Sequence, residues 1–132
     1  MDRIKKFMRD AKMNYDIKFI GKTINPRWQD NELRNYYKVT ISTPKGSVEV
    51  PFWDSVYNTE HNRKPIIDDI LYCLQVDFGW MTFKNFCDEY GRDKDSITAY
   101  QLYAECMSQY IELSAIFTSE QMEELGEIQM EM

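Results

Sequence analysis

Apolar and polar positions alternate most clearly between Tyr36 and Phe52. Tyr37, Val39 and Ile41 fall on one side of an extended chain, and Lys38, Thr40 and Ser42 fall on the other. After Pro44-Lys45-Gly46 the alternation resumes, with Val48, Val50 and Phe52 set against Ser47 and Glu49. Strand side chains point to the two faces in turn, so this pattern predicts a β-hairpin over 36–52 with one buried face. Ile17 and Phe19 about Lys18, closed by Ile20-Gly21, predict a first strand. Between it and the hairpin, Thr23–Asn35 holds Asn25-Pro26 and Asp30-Asn31 and is expected to be a loop carrying Arg27, Trp28 and Arg34.

Elsewhere the period is helical. Ile4, Phe7, Met8 and Ala11 predict a short amphipathic helix within 1–14, ringed by Lys5, Lys6, Arg9 and Lys12. Trp53–Lys64 is polar and irregular. Pro65 is placed as the first residue of a helix running to about Gln75, with Ile66, Ile67, Ile70, Leu71 and Leu74 as its stripe and Asp68 and Asp69 in its first turn. Thr82 caps a helix that buries Phe83, Phe86, Cys87 and Tyr90 and ends at Gly91. From Asp95 or Ser96 a long helix follows, its stripe read as Ile97, Tyr100, Tyr103, Met107, Tyr110, Ser114 and Phe117. Thr118-Ser119-Glu120-Gln121 is a capping box opening a last helix with Met122, Leu125, Ile128 and Met132 on one side. Strands followed by segregated helices mean α+β. The expected architecture is one domain over 1–132. A three-stranded antiparallel sheet within 16–53 packs against a helical part, 65–132, and a short N-terminal helix.

Charge changes the picture more than composition does. Residues 1–66 carry 13 Lys and Arg against 8 Asp and Glu, whereas residues 67–132 carry 3 against 14, so the net charge of −6 hides a basic half and an acidic half. The acidic half either steers association with a basic surface or forms a solvated helical face. Aromatics make up 14% of the chain, enough that some either meet a partner or fill a Tyr-rich core with wet hydroxyls. No apolar run is long enough to span a membrane, and no apolar stretch of signal-peptide type follows the basic start. Cys73, Cys87 and Cys106 are widely spaced, odd in number and set in helical patterns, and are expected to be reduced, buried thiols.

Chemistry-bearing motifs are few. His61 is the one histidine and sits in a polar stretch, which suits a solvated loop residue better than an acid or base. Asp93-Lys94-Asp95 opens like a calcium loop, but the positions that need ligands and a glycine hold Ile97, Ala104 and Thr98. The glycines are isolated, so no phosphate-binding loop exists, and no metal-ligand pair has the usual spacing. No cofactor, no catalytic residue and no metal site is expected. The chain reads as a binding protein, not an enzyme. In the basic half, Lys18, Lys22, Arg27, Arg34, Lys38 and Lys45 lie near Trp28 and Tyr36, a combination that holds single-stranded nucleic acid in other proteins. The acidic half would repel a phosphate backbone unless it is well separated. Exposed Tyr and Met on the long helix would suit a homodimer, and core packing explains them equally well.

The run Pro65–Leu74, then Met81–Gly91 and Asp93–Ser96, resembles a module of small phage and prophage proteins. In that module a hairpin leads to an Asp-Ile-Leu helix, a TFxxFCxEFG helix, an Asp-rich turn and a long Tyr-rich helix. The likeness covers roughly 37–128 and is most specific over Phe83–Ser96; the first 35 residues depart from it. In size, acidity and lack of motifs the chain also resembles the anti-CRISPR class. The resemblance implies an inhibitor working in the bacterial host cytoplasm by stoichiometric binding to an RNA-guided CRISPR effector nuclease. Asp88, Glu89, Asp93, Asp95, Glu105, Glu112, Glu120, Glu123 and Glu124 would then mimic phosphates. In the opposite mechanism the basic, aromatic half holds guide RNA or target DNA. The alternative function is a phage accessory protein that binds nucleic acid or another host protein.

Overall fold

The computed structural model describes residues 2–27, 30–74 and 82–130. Helix α1 spans Arg3–Ala11, strand β1 Asn14–Ile24, β2 Leu33–Thr43 and β3 Gly46–Trp53. Then come five helices: α2 Val56–Glu60, α3 Ile67–Tyr72, α4 Phe83–Tyr90, α5 Ile97–Ile116 and α6 Ser119–Met130. The sheet is antiparallel in the order β1-β2-β3. The α+β expectation holds, and the alternation in the hairpin is realised in full: Tyr37, Val39, Ile41, Val48, Val50 and Phe52 are all buried.

That inner face packs on Ile4 and Phe7 of α1, Ile70 and Leu71 of α3, Leu113 and Ile116 of α5, and Leu125 and Ile128 of α6. Phe7 and Phe117 meet with ring centroids 5.3 Å apart. A second, smaller cluster of Phe86, Leu102 and Cys106 joins α4 to the first half of α5. The hairpin turn is pinned to the end of α5, where the Thr43 hydroxyl donates to the Ile116 carbonyl at 2.7 Å.

Four of the predicted caps form. The Thr82 hydroxyl accepts from Asn85 N at 3.1 Å, and the Ser96 hydroxyl accepts from Ala99 N at 3.2 Å. Gly91 takes the left-handed conformation at φ 64° that ends α4. The Thr118–Gln121 box closes both ways, at 3.1 Å and 2.8 Å.

The structure departs from the sequence reading in several places. α1 stops at Ala11 because Lys12 turns left-handed (φ 52°), and Lys12 N and Met13 N cap the last carbonyls. β1 runs on past Gly21, through an irregularity in the pairing between Phe19 and Gly21, and shortens the expected loop by pairing Lys22, Thr23 and Ile24 with Asn35, Arg34 and Leu33. The side chains of Ile24 and Leu33 stay exposed, so the ladder's hydrogen bonds and not burial extend these strands. The irregular stretch contains α2, capped where Ser55 Oγ accepts from Asn58 N at 3.0 Å. Pro65 is not the first helical residue: Ile66 is the N-cap, its backbone N donating to Asp69 Oδ2 at 3.0 Å. α3 ends at Tyr72, and Gln75 and Met132 lie outside the described residues.

The largest correction concerns α5. Its buried face is Ala99, Leu102, Cys106, Gln109, Leu113 and Ile116, one step around the helix from the predicted stripe. Ile97 and Tyr100 are exposed, and Tyr103, Met107 and Tyr110 lie half-buried on the flank. A run of apolar residues wider than one face leaves the phase of a helix undetermined. Cys87 and Cys106 are buried as expected, but Cys73 is exposed.

Candidate partner-binding surfaces

The nine acidic residues singled out in the sequence fall into separate groups. Asp88 and Glu89 lie on α4, and Asp93 and Asp95 in the turn after it; all four are exposed. Glu105 and Glu112, two turns apart on α5, line a groove of about 390 Å³ together with Glu49, Trp53 and Arg27. Glu120 and Glu123 are exposed on α6, where Glu123 borders a shallow hollow with Tyr110, Ser114 and Phe117. None of these eight forms an ion pair with a described residue. Glu124 differs. It accepts from Arg3 Nε at 2.8 Å, and this contact holds its carboxyl below the usual range. Arg3 also reaches Glu127. The basic first helix therefore packs against the acidic last one, which partly neutralises in space the charge split seen along the sequence.

The basic set is divided too. Lys18 and Lys38 face each other across β1 and β2 on the outer side of the sheet. Tyr36 stacks on Trp53 there, ring centroids 4.8 Å apart, and the Arg27 guanidinium lies 5.6 Å from the Trp53 ring. Trp53 is fixed by its indole N–H, which donates to Thr23 Oγ1 at 2.8 Å. Arg34 is engaged locally: it meets both oxygens of Asp30 at 2.7 and 3.2 Å, and this pushes the Asp30 carboxyl down to about 2. Lys22 sits elsewhere, in a hollow with Ile17, Phe19, Tyr37, Arg63 and Lys64. Lys45 is alone in the hairpin turn. Trp28 lies outside the described residues.

Two features went unseen in the sequence. Trp53 opens a stretch whose sequence is irregular, yet its place one alternation beyond Pro51 fits the outer face. Arg63 and Lys64 come beside Ile17, Phe19 and Lys22 of β1, which nothing in the local sequence pattern shows. Arg63 lies over Tyr57 at 5.2 Å. His61 is exposed, stacked on Tyr57 at 4.1 Å, with Nδ1 2.8 Å from the Tyr57 carbonyl.

Among the described residues no group of three His, Cys, Asp or Glu could hold a metal ion, and no helix is long and apolar enough to cross a membrane. No protein-family model, curated protein or solved structure matches this chain.

Proposed function

We propose that this chain is a phage-type inhibitor that binds an RNA-guided nuclease of bacterial defence stoichiometrically, through the acidic surface of α4, α5 and α6. The observation that carries this reading is that eight of its carboxylates are exposed without an ion-pair partner among the described residues. Unneutralised acids on rigid helices attract a basic channel and keep their geometry on docking. Such a channel is what a nuclease offers to its guide and target strands. The phage-type reading rests on the module resemblance, most specific over Phe83–Ser96 on α4 and the turn that follows it, and the class of partner rests on the likeness to the anti-CRISPR class in size, acidity and lack of motifs. Its place of action would be the bacterial host cytoplasm.

A second reading has its own support. Lys18 and Arg27, with Lys38 in an exposed pair with Glu49 at 3.7 Å, lie around the Tyr36–Trp53 stack and give the outer sheet face both charge and ring surface, as single-strand binders have. Arg34, held by Asp30, does not belong to that patch.

Co-elution separates the two. The purified protein is run with a guide-loaded nuclease and, separately, with DNA and RNA oligonucleotides. Comigration with the nuclease alone supports inhibition. A shift of the oligonucleotides alone transfers the function to the outer sheet face, and binding to neither removes both readings.

A further inference from the structure

The sheet has two unlike edges. β3 lies against α5, whereas β1 has no strand beyond it among the described residues and is exposed along almost its whole length. Its inward row should be core, because Tyr15, Ile17 and Phe19 stand opposite Ile41, Val39 and Tyr37. Yet Tyr15 is 44% and Phe19 56% exposed, and Ile17 is half-buried. An open edge that also shows an apolar row is a template for another strand.

The outward row says which strand. It carries Asp16 and Lys18, neither ion-paired with a described residue; Lys18 stands opposite Lys38, whose own ion-pair partner is Glu49 at 3.7 Å. A two-fold axis through Ile17 sets Asp16 of one copy opposite Lys18 of the other, and the reverse. The same axis sets Tyr15 opposite Phe19 and Ile17 opposite its own copy. One register thus satisfies both faces of the strand, with two ion pairs outward and an unbroken apolar row inward. Such self-complementarity is what an isologous interface requires. The irregularity between Phe19 and Gly21 limits the paired stretch to the segment before it.

We propose that two copies of this chain pair antiparallel through β1, joining their three-stranded sheets into one continuous sheet. This moves the homodimer contact from the long helix, where Tyr103, Met107 and Tyr110 pack against the core clusters, to the sheet edge. The interface does not depend on which partner the acidic helices bind.

Sedimentation velocity across the micromolar range tests the proposal by a charge exchange. The unaltered protein sediments as a dimer. Asp16→Lys sets two lysines against lysines, and Lys18→Asp sets two aspartates against aspartates, so each variant alone dissociates about tenfold more readily or worse. Mixed in equal amounts they restore both pairs, and the dimer returns as a heterodimer. Circular dichroism checks that each variant is folded, and both substitutions are at exposed positions. A monomer at every concentration overturns the proposal. So do single variants that remain dimers, or folded variants whose mixture stays monomeric.

Discussion

Arg3 and Glu124 meet at 2.8 Å across 121 positions of chain, and this contact ties the first helix to the last. Both side chains are about one-third exposed, so water screens the pair. Arg3→Ala is expected to cost about 0.5–1 kcal/mol in urea unfolding. The effect should shrink in high salt. Because Glu124 is held below its ordinary range, the pair's contribution is present above that range and fades as pH falls through the lowered value. The difference between wild type and Arg3→Ala should therefore close on acidification. A gap that persists at low pH would point to lost packing of the Arg3 stem instead.

The phase of α5 gives a sharper test. Leu113 is fully buried and Ile111 is 63% exposed, although both are large aliphatics on one helix. Leu113→Ala should cost about 2–5 kcal/mol, with the value set by how far the site collapses. Ile111→Glu should stay within about 0.5 kcal/mol of wild type. Chemical denaturation of the two variants decides between the observed face and the neighbouring one.

How much was readable beforehand follows from these cases. The hairpin was legible because strict alternation has one phase, and one slip would turn Val39, Ile41 and Val50 outward. The caps at Thr82, Ser96 and Thr118 were legible because a side-chain oxygen bonding a backbone N–H two or three residues on is a local event. The phase of α5 was not, since Ile97, Tyr100 and Ile111 are as apolar as the residues buried beside them. Nor was the fate of Glu124, which depends on an arginine at the other end of the chain. Eight of the acids singled out are exposed, and their meeting with residues from other elements, as Glu105 and Glu112 meet Glu49 in one groove, is a property of tertiary packing. The open edge of β1 was hidden for a related reason: alternation reports which row faces inward, not whether anything covers it.

Asp54 has an unusual balance of partners. It is 3% exposed; Oδ1 accepts from Ser55 N at 2.9 Å and from Asn58 Nδ2 at 3.0 Å, while Oδ2 has no hydrogen-bond partner among the described residues. Burying a charged oxygen without a partner is costly. Asp54→Asn keeps the Oδ1 acceptor and removes the charge, so its unfolding midpoint should match or exceed that of wild type. Asp54→Ala strands the buried donors and should lose about 1–3 kcal/mol. If asparagine is as damaging as alanine, the carboxylate has a counter-charge or a ligand that the hydrogen-bond geometry does not reveal.

The three cysteines should separate by reactivity. Cys87 and Cys106 are 1% and 0% exposed, whereas Cys73 is exposed. Desolvation around its sulfur, with Asp69 and Asp54 nearby, raises the Cys73 thiol above its ordinary value of 9.0. Labelling of the native protein with a disulfide reagent should thus modify one thiol, slowly at neutral pH and faster as pH rises. The other two should react only after unfolding. Cys73→Ser should abolish the native-state reaction; two fast thiols would mean that the Phe86–Cys106 cluster opens readily.

The acidic surface makes the last prediction. Glu105, Glu112, Glu120 and Glu123 are exposed, and none is ion-paired with a described residue, so reversing all four to lysine breaks no ion pair among the described residues. Thermal unfolding should change little, and on the proposed function inhibition of an RNA-guided nuclease should be lost. Glu124→Lys is the contrasting variant, because it places a second cation against Arg3 and should lower stability before it alters binding. Long-range attraction between an acidic face and a basic channel also depends on screening. From about 0.1 M to about 1 M salt the Debye length falls from about 10 Å to about 3 Å. Association with the nuclease should slow steeply over that range while dissociation changes far less. An association rate insensitive to salt would discard the acidic helices as the docking face. The stacked Tyr36–Trp53 pair, whose contacts do not rely on charge, would then be the surface to alter next.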